Sequence, residues 1–185
     1  MDSAMAGFER FSSGFIPLHW SEKIEEKSHI DGQGIWISNA YAWTDASLAK
    51  AEITHIISVG ARLRGVDAFK DQLIFDVMDT PTSNLRSRFP AAVEFARMRS
   101  GPLLIHCQAG ISRSTTVAMA VLVGARYLDL ARAAALVCTA RKGAYPNPGF
   151  LRQVYNYATE QGRNSYEDTS RNIVAPFRIF EEEMC

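Results

Sequence analysis

The run Leu103-Leu104-Ile105-His106-Cys107-Gln108-Ala109-Gly110-Ile111-Ser112-Arg113-Ser114 constrains this chain more than any other stretch. Leu103 to Ile105 read as a short apolar strand running straight into His106 and Cys107. Small residues follow, and Arg113 to Leu128 has high apolar content and no glycine before Gly124, the pattern of a buried helix. A strand that enters a small-residue loop and opens a helix makes an anion cradle. Successive backbone N–H groups converge on one point, and the positive end of the helix dipole adds to their field. Gly110 gives the freedom that such a tight ring needs. Arg113 closes the ring with a planar fork that can hold two oxygens of a phosphate. Gln108, Ala109, Gly110, Ile111, Ser112 and Arg113 are therefore the expected phosphate contacts. The same field acts on sulfur. A free cysteine is only about 3 % thiolate at pH 7, whereas helix N-termini and cationic neighbours lower cysteine pKa values to roughly 3.5–7.5. A cradle built for phosphate thus also builds a sulfur nucleophile, here Cys107.

The remaining pattern supplies a scaffold for that loop. Gly34 to Ser38, Ile53 to Val59 and Gln72 to Val77 read as strands, the second rich in β-branched residues. A short helix is expected from Asp45 to Ala51 with Thr44 as N-cap, and another near Arg88 with Pro90 in its first turn, bearing Phe89, Val93, Phe95 and Met98. Gly101-Pro102 ends it. Leu130 to Ala140 reads as a helix closed by Gly143, and Asn147-Pro148 opens a last one through N-cap and first-position chemistry. Strands and helices alternate early and helices cluster late, which predicts an α/β domain with a mostly parallel central sheet between helical layers. Residues 1–27 read as an N-terminal arm, 28–162 as the domain and 163–185 as a tail ending in Glu181-Glu182-Glu183 and Cys185.

The nine residues from His106 to Ser114 match the signature His-Cys-x-x-Gly-x-x-Arg-(Ser/Thr) of the protein tyrosine phosphatase superfamily, and their full wording resembles its dual-specificity branch. The resemblance extends over residues 30–161, including Ile53 to Val59 and Asn147-Pro148-Gly149-Phe150. It implies the family fold, a three-layer phosphatase-type domain, and a protein phosphatase that acts on phosphotyrosine and on phosphoserine or phosphothreonine. By the family mechanism, Cys107 attacks phosphorus to form a cysteinyl-phosphate that water then hydrolyses. Arg113 binds the phosphate and stabilises the transition state, and Ser114 eases departure of the thiolate. An aspartic acid from the loop after an upstream strand protonates the leaving oxygen. Asp76 and Asp79 are the two candidates, and Asp79-Thr80 is the closer match to the family's acid loop. His106 is expected to orient the cysteine loop as a core histidine, and Asn147 to support that loop while capping its own helix.

Within the superfamily, Gln108 and Ile111 occupy slots that carry lysines in phosphoinositide phosphatases, which argues against that substrate. The short chain resembles the small atypical members, whose shallower pocket implies access for phosphoserine and phosphothreonine. Arg62, Arg64, Arg86 and Arg88 are basic residues available to border the pocket, with a solvated role as the simpler reading. The rival class is a non-catalytic phosphoprotein-binding module, or a phosphatase of non-protein esters.

Composition narrows partners and compartment. Lysine plus arginine equal aspartate plus glutamate at 20 each, so nothing in the bulk charge attracts nucleic acid or anionic lipid. No apolar run approaches the roughly 18 residues that span a bilayer, and Met1 to Trp20 has no signal-peptide pattern. Cys107, Cys138 and Cys185 form neither a disulfide framework nor a zinc site. The expectation is a soluble protein of a reducing compartment, cytoplasmic with the nucleus also open to it, using no cofactor or metal and taking a phosphorylated protein as substrate. Oligomeric state is not legible.

Overall fold

The computed structural model of the chain describes residues 8–11, 14–17, 21–24, 34–63 and 71–164. In chain order these form strands β1 (Phe8–Phe11), β2 (Gly14–Pro17), β3 (Ser21–Ile24) and β4 (Ile35–Asn39), then helix α1 (Asp45–Lys50). Strands β5 (His55–Val59) and β6 (Asp71–Phe75) follow. A 3-10 turn (Arg86–Arg88) leads into α2 (Phe89–Met98), strand β7 (Leu103–Cys107) and helices α3 (Arg113–Arg126), α4 (Leu130–Ala140) and α5 (Pro148–Glu160).

Five strands form one sheet in the order β3-β4-β7-β5-β6, with β1 and β2 paired separately. β4, β7, β5 and β6 run parallel, and β3 is antiparallel to β4. β7 lies between β4 and β5, so Cys107 sits opposite Asn39 on one side and Val59 on the other, at the carboxyl edge. Loops from four parallel strands meet at that edge, where open α/β sheets bind their ligands.

Side chains on β5 and β7 alternate between two cores, as the period of a strand demands. Ile56 and Leu104 pack with Leu48 of α1, Trp43 and Ile53 on one face. Ile57, Leu103 and Ile105 join α2, α3, α4 and α5 on the other. α3 is the buried axis of the second layer, with every residue from Ser114 to Gly124 buried. A helix enclosed this way projects rigidly from the cradle loop that precedes it.

The expected helices and parallel strands are present. Thr44 caps α1 through a reciprocal bond with Ser47, Pro90 lies in the first turn of α2, and Asn147 caps α5. The differences are local. β6 ends at Phe75, so Asp76 lies on the exposed loop beyond the strand rather than inside it. α4 stops at Arg141 with extended backbone, ahead of Gly143. Of the apolar residues read onto α2, Met98 is 77 % exposed. The segment read as an N-terminal arm contributes β3 to the central sheet. Arg64 and the tail from residue 165, including Glu181 to Glu183 and Cys185, lie outside the described residues.

Candidate active site

The loop turns so that the carbonyls of Gln108 to Ile111 face outward, and each is held there by a donor from elsewhere in the chain. Ala40 N–H donates to the Gln108 carbonyl at 3.2 Å, and Tyr145 N–H to the Ile111 carbonyl at 2.9 Å. Arg141 takes the two between them, with Nη2 donating to the Ala109 carbonyl at 3.1 Å and Nε to the Gly110 carbonyl at 2.9 Å. A trans peptide sets its N–H opposite its C=O. Four carbonyls fixed outward therefore turn the N–H groups of Ala109, Gly110, Ile111 and Ser112 toward the inside of the ring. Cys107 Sγ is the atom within it: Gly110 N–H donates to it at 3.2 Å, and Ser114 Oγ lies 3.2 Å away. Gly110 is required on two counts. Its φ of +70° is left-handed, and a Cβ would fall 2.6 Å from the Ser38 carbonyl.

Helix α3 opens at this ring without a side-chain cap. Ser112, at the N-cap position, donates its hydroxyl to Asp79 Oδ1 instead, at 2.7 Å. The first N–H groups of α3 thus stay available at the positive end of the helix dipole. Arg113 lies along the ring, with Nη1 donating to the Val77 carbonyl at 3.2 Å and the Gly60 carbonyl at 3.4 Å. Its Nε is 3.5 Å from Asp79 Oδ2.

Of the two candidate acids, Asp79 is the one tied to the cradle. Its Oδ1 accepts from Ser112 Oγ and, at 2.8 Å, from Asn147 Nδ2. The Asn147 backbone N–H donates to Ser112 Oγ at 3.1 Å, closing a knot of three residues. Asn147 does this while its Oδ1 caps α5 by accepting from Phe150 N–H at 3.0 Å. Asp76 is exposed on the loop.

His106 has no exposed surface, and its Nε2 pairs with Ser58 Oγ at 2.7 Å. Burial lowers its pKa to about 4, against a smaller opposing effect of the Cys107 backbone. A neutral imidazole so placed fits the orienting role and not that of a base. Cys138 is half-buried on α4, and burial pushes its thiol up to about 12, as befits a structural cysteine. The Gln108 side chain donates to Tyr41 Oη. Among the basic residues, Arg86 is paired with Glu160, while Arg62 and Arg88 are exposed. Among the described residues no cluster of His, Cys, Asp or Glu is arranged to hold a metal ion.

Sequence reasoning missed Arg141, Gly60, Ser58 and Gln153. Arg141 sits at the end of a helix in the polar run Arg141-Lys142-Gly143, which reads as solvated, yet it is fully buried. Its only sequence signal is its place shortly before Asn147-Pro148.

The family model of the dual specificity phosphatase catalytic domain matches residues 35–160. Mouse dual specificity protein phosphatase 19 is 31 % identical over 137 residues, covering 68 % of this chain and 61 % of the relative. Dual specificity protein phosphatase 1 of Arabidopsis thaliana is 33 % identical over 129 residues, covering 66 % and 64 %. The chain therefore spans less than two thirds of the length of either relative. A solved structure of a mouse putative dual specificity phosphatase superposes with a TM-score of 0.64 at 33 % identity, covering 72 % of this chain and 89 % of that one. On the match across its catalytic domain, the chain belongs to the dual specificity phosphatase family.

Proposed function

We propose that this protein removes phosphate from phosphotyrosine and from phosphoserine or phosphothreonine in protein substrates, through a cysteinyl-phosphate on Cys107. One observation carries the reading: Cys107 Sγ lies within a ring of inward N–H groups, 3.2 Å from Ser114 Oγ, with Asp79 and Arg113 meeting at its rim. The mouse structure is of a complex with zinc tungstate, and tungstate, like phosphate, is a tetrahedral oxyanion.

In the first step the sulfur attacks phosphorus, an S–P bond forms and the P–O bond to the substrate breaks. The ring N–H groups and the Arg113 fork stabilise charge on the equatorial oxygens. Asp79 gives its proton to the departing oxygen, which matters most for serine and threonine, whose alkoxides leave poorly. In the second step water attacks phosphorus and passes a proton to the Asp79 carboxylate, which restores the acid; the S–P bond breaks and sulfur leaves as thiolate, stabilised by a hydrogen bond from Ser114. Phosphate and the dephosphorylated hydroxyl are the products, and no redox change occurs.

Release of phosphate from para-nitrophenyl phosphate and from singly phosphorylated tyrosine and threonine peptides tests this. Turnover of both peptides by wild type, abolished in Cys107→Ser, is the expected result. Phosphopeptide binding without turnover would instead assign the cradle to a binding module.

A further inference from the structure

We infer that Gln153, on α5, is a positioning residue for proton donation by Asp79. This deepens the reading above and rests on Asp79 being the acid.

The loop that carries Asp79 runs from the end of β6 at Phe75 to the 3-10 turn at Arg86. α5 holds it at three successive points. Asn147, the cap, donates to Asp79 Oδ1. Gly149 accepts the backbone of Pro81 against it: a Cβ there would fall 1.9 Å from the Pro81 carbonyl oxygen. Gln153 holds the far end with three bonds. Its Oε1 accepts from Leu85 N–H at 2.9 Å and Arg86 N–H at 2.8 Å, and its Nε2 donates to the Ser83 carbonyl at 2.8 Å.

Each bond meets a need of the loop. The Leu85 and Arg86 N–H groups open the turn into α2, where no side chain caps them from within, so Gln153 serves as a cap supplied by another helix. Leu85 is fully buried, which pins that end to the core. A side-chain amide has two acceptor lone pairs and two donor hydrogens. Three of these four are used here, on a single stretch of backbone. Asp79 is thus suspended from one rigid helix, between a contact on its own carboxylate and an anchor at Gln153. Proton transfer needs the donor within hydrogen-bond reach of the leaving oxygen, and misplacement by an ångström costs rate steeply. Releasing the Ser83–Arg86 end lets the carboxyl drift while the cradle, held by Arg141, Ala40 and Tyr145, stays built.

Leaving-group dependence tests this, because loss of the proton donor harms only substrates whose leaving group needs a proton. The full chain is assayed on 2,4-dinitrophenyl phosphate and on phenyl phosphate as wild type, Gln153→Met, Gln153→Glu and Asp79→Asn. Gln153→Met keeps the side chain's length and removes its bonds. It is expected to lose about 10- to 100-fold in kcat/KM on phenyl phosphate, up to the lower end of what a general acid contributes, and less than about threefold on the dinitrophenyl ester. Gln153→Glu still accepts from both N–H groups and should recover part of the loss. Gly149→Ala, which pushes on Pro81 directly, should show the same selective defect; where Gln153→Met does not fold, Gln153→Glu, which gives up only the bond to the Ser83 carbonyl, carries the test. Equal losses on both esters, or none, would overturn the role of Gln153. If Asp79→Asn itself loses no more on phenyl phosphate than on the dinitrophenyl ester, the acid assignment fails, and the role of Gln153 with it.

Discussion

Arg141 has no exposed surface, and its Nε donates to the carbonyl of Gly110 at 2.9 Å from behind the cradle. With Nη2 on the Ala109 carbonyl at 3.1 Å, one guanidinium fixes two consecutive peptide planes. Its planar fork suits this task, and an ammonium lacks that shape.

Replacing Arg141 by Met should therefore damage anion binding before it damages chemistry. The buried Gly110 carbonyl loses its donor, at about 1–3 kcal/mol, the half-buried Ala109 carbonyl loses its own at less, and the N–H groups of Gly110 and Ile111 lose their fixed direction. The inhibition constant for inorganic phosphate is expected to rise at least about tenfold, with a measurable loss in urea midpoint, and Arg141→Lys should restore little of either. An unchanged inhibition constant in folded Arg141→Met would show that the ring keeps its shape without the tether.

Gly60 ties backbone strain to the position of Arg113. Its φ is +66°, and a Cβ would fall 2.0 Å from Arg113 Nη1 and 2.4 Å from the Val77 carbonyl. Gly162 has nearly the same backbone, φ +64°, with nothing within 4 Å of its Cβ position. Alanine at either site carries the left-handed penalty, about 1–2 kcal/mol. Only Gly60→Ala also displaces Arg113. We expect Gly60→Ala to lose more stability than Gly162→Ala, because the Val77 backbone must also give way, and Gly60→Ala alone to lose activity on para-nitrophenyl phosphate by ~100-fold, the scale of a lost charge-stabilising donor. Comparable activity in the two variants would mean that Arg113 tolerates the shift.

What the sequence revealed and what it hid divide along contact range. The cradle was legible because Cys107, Gly110, Arg113 and Ser114 lie within one strand–loop–helix unit, where spacing alone fixes geometry. Asn147 was legible as a cap, since that role is local. Its bond to Asp79 joins residues 68 positions apart and left no local mark. Arg141, Gly60 and Gln153 act the same way, each meeting backbone from a distant stretch. β3 escaped notice because Ser21-Glu22-Lys23-Ile24 is a four-residue edge strand with two charged residues, and short polar edges lack the apolar alternation that marks a strand.

The fully buried His106 makes stability depend on pH with a definite sign. Its pKa falls from 6.5 to about 4 on folding, chiefly through burial. Between those values the unfolded chain takes up a proton that the native state refuses, so the unfolded state binds more protons and stability declines as pH falls. The contribution is fully present above pH 6.5 and is lost progressively toward pH 4. Taking about 1.4 kcal/mol per pH unit, it amounts to about 2 kcal/mol between pH 7.5 and pH 5. Ser58 Oγ, 2.7 Å from Nε2, keeps the neutral ring in place. His106→Gln preserves a polar side chain that does not titrate, so its urea stability should fall less steeply over the same interval, by about that amount. Carboxylates add their own slope below about pH 5, which is why the comparison stops there. Identical slopes for wild type and His106→Gln would show that the imidazole is protonated in the folded protein near its ordinary pKa, with the Ser58 contact rearranged to accept its charge.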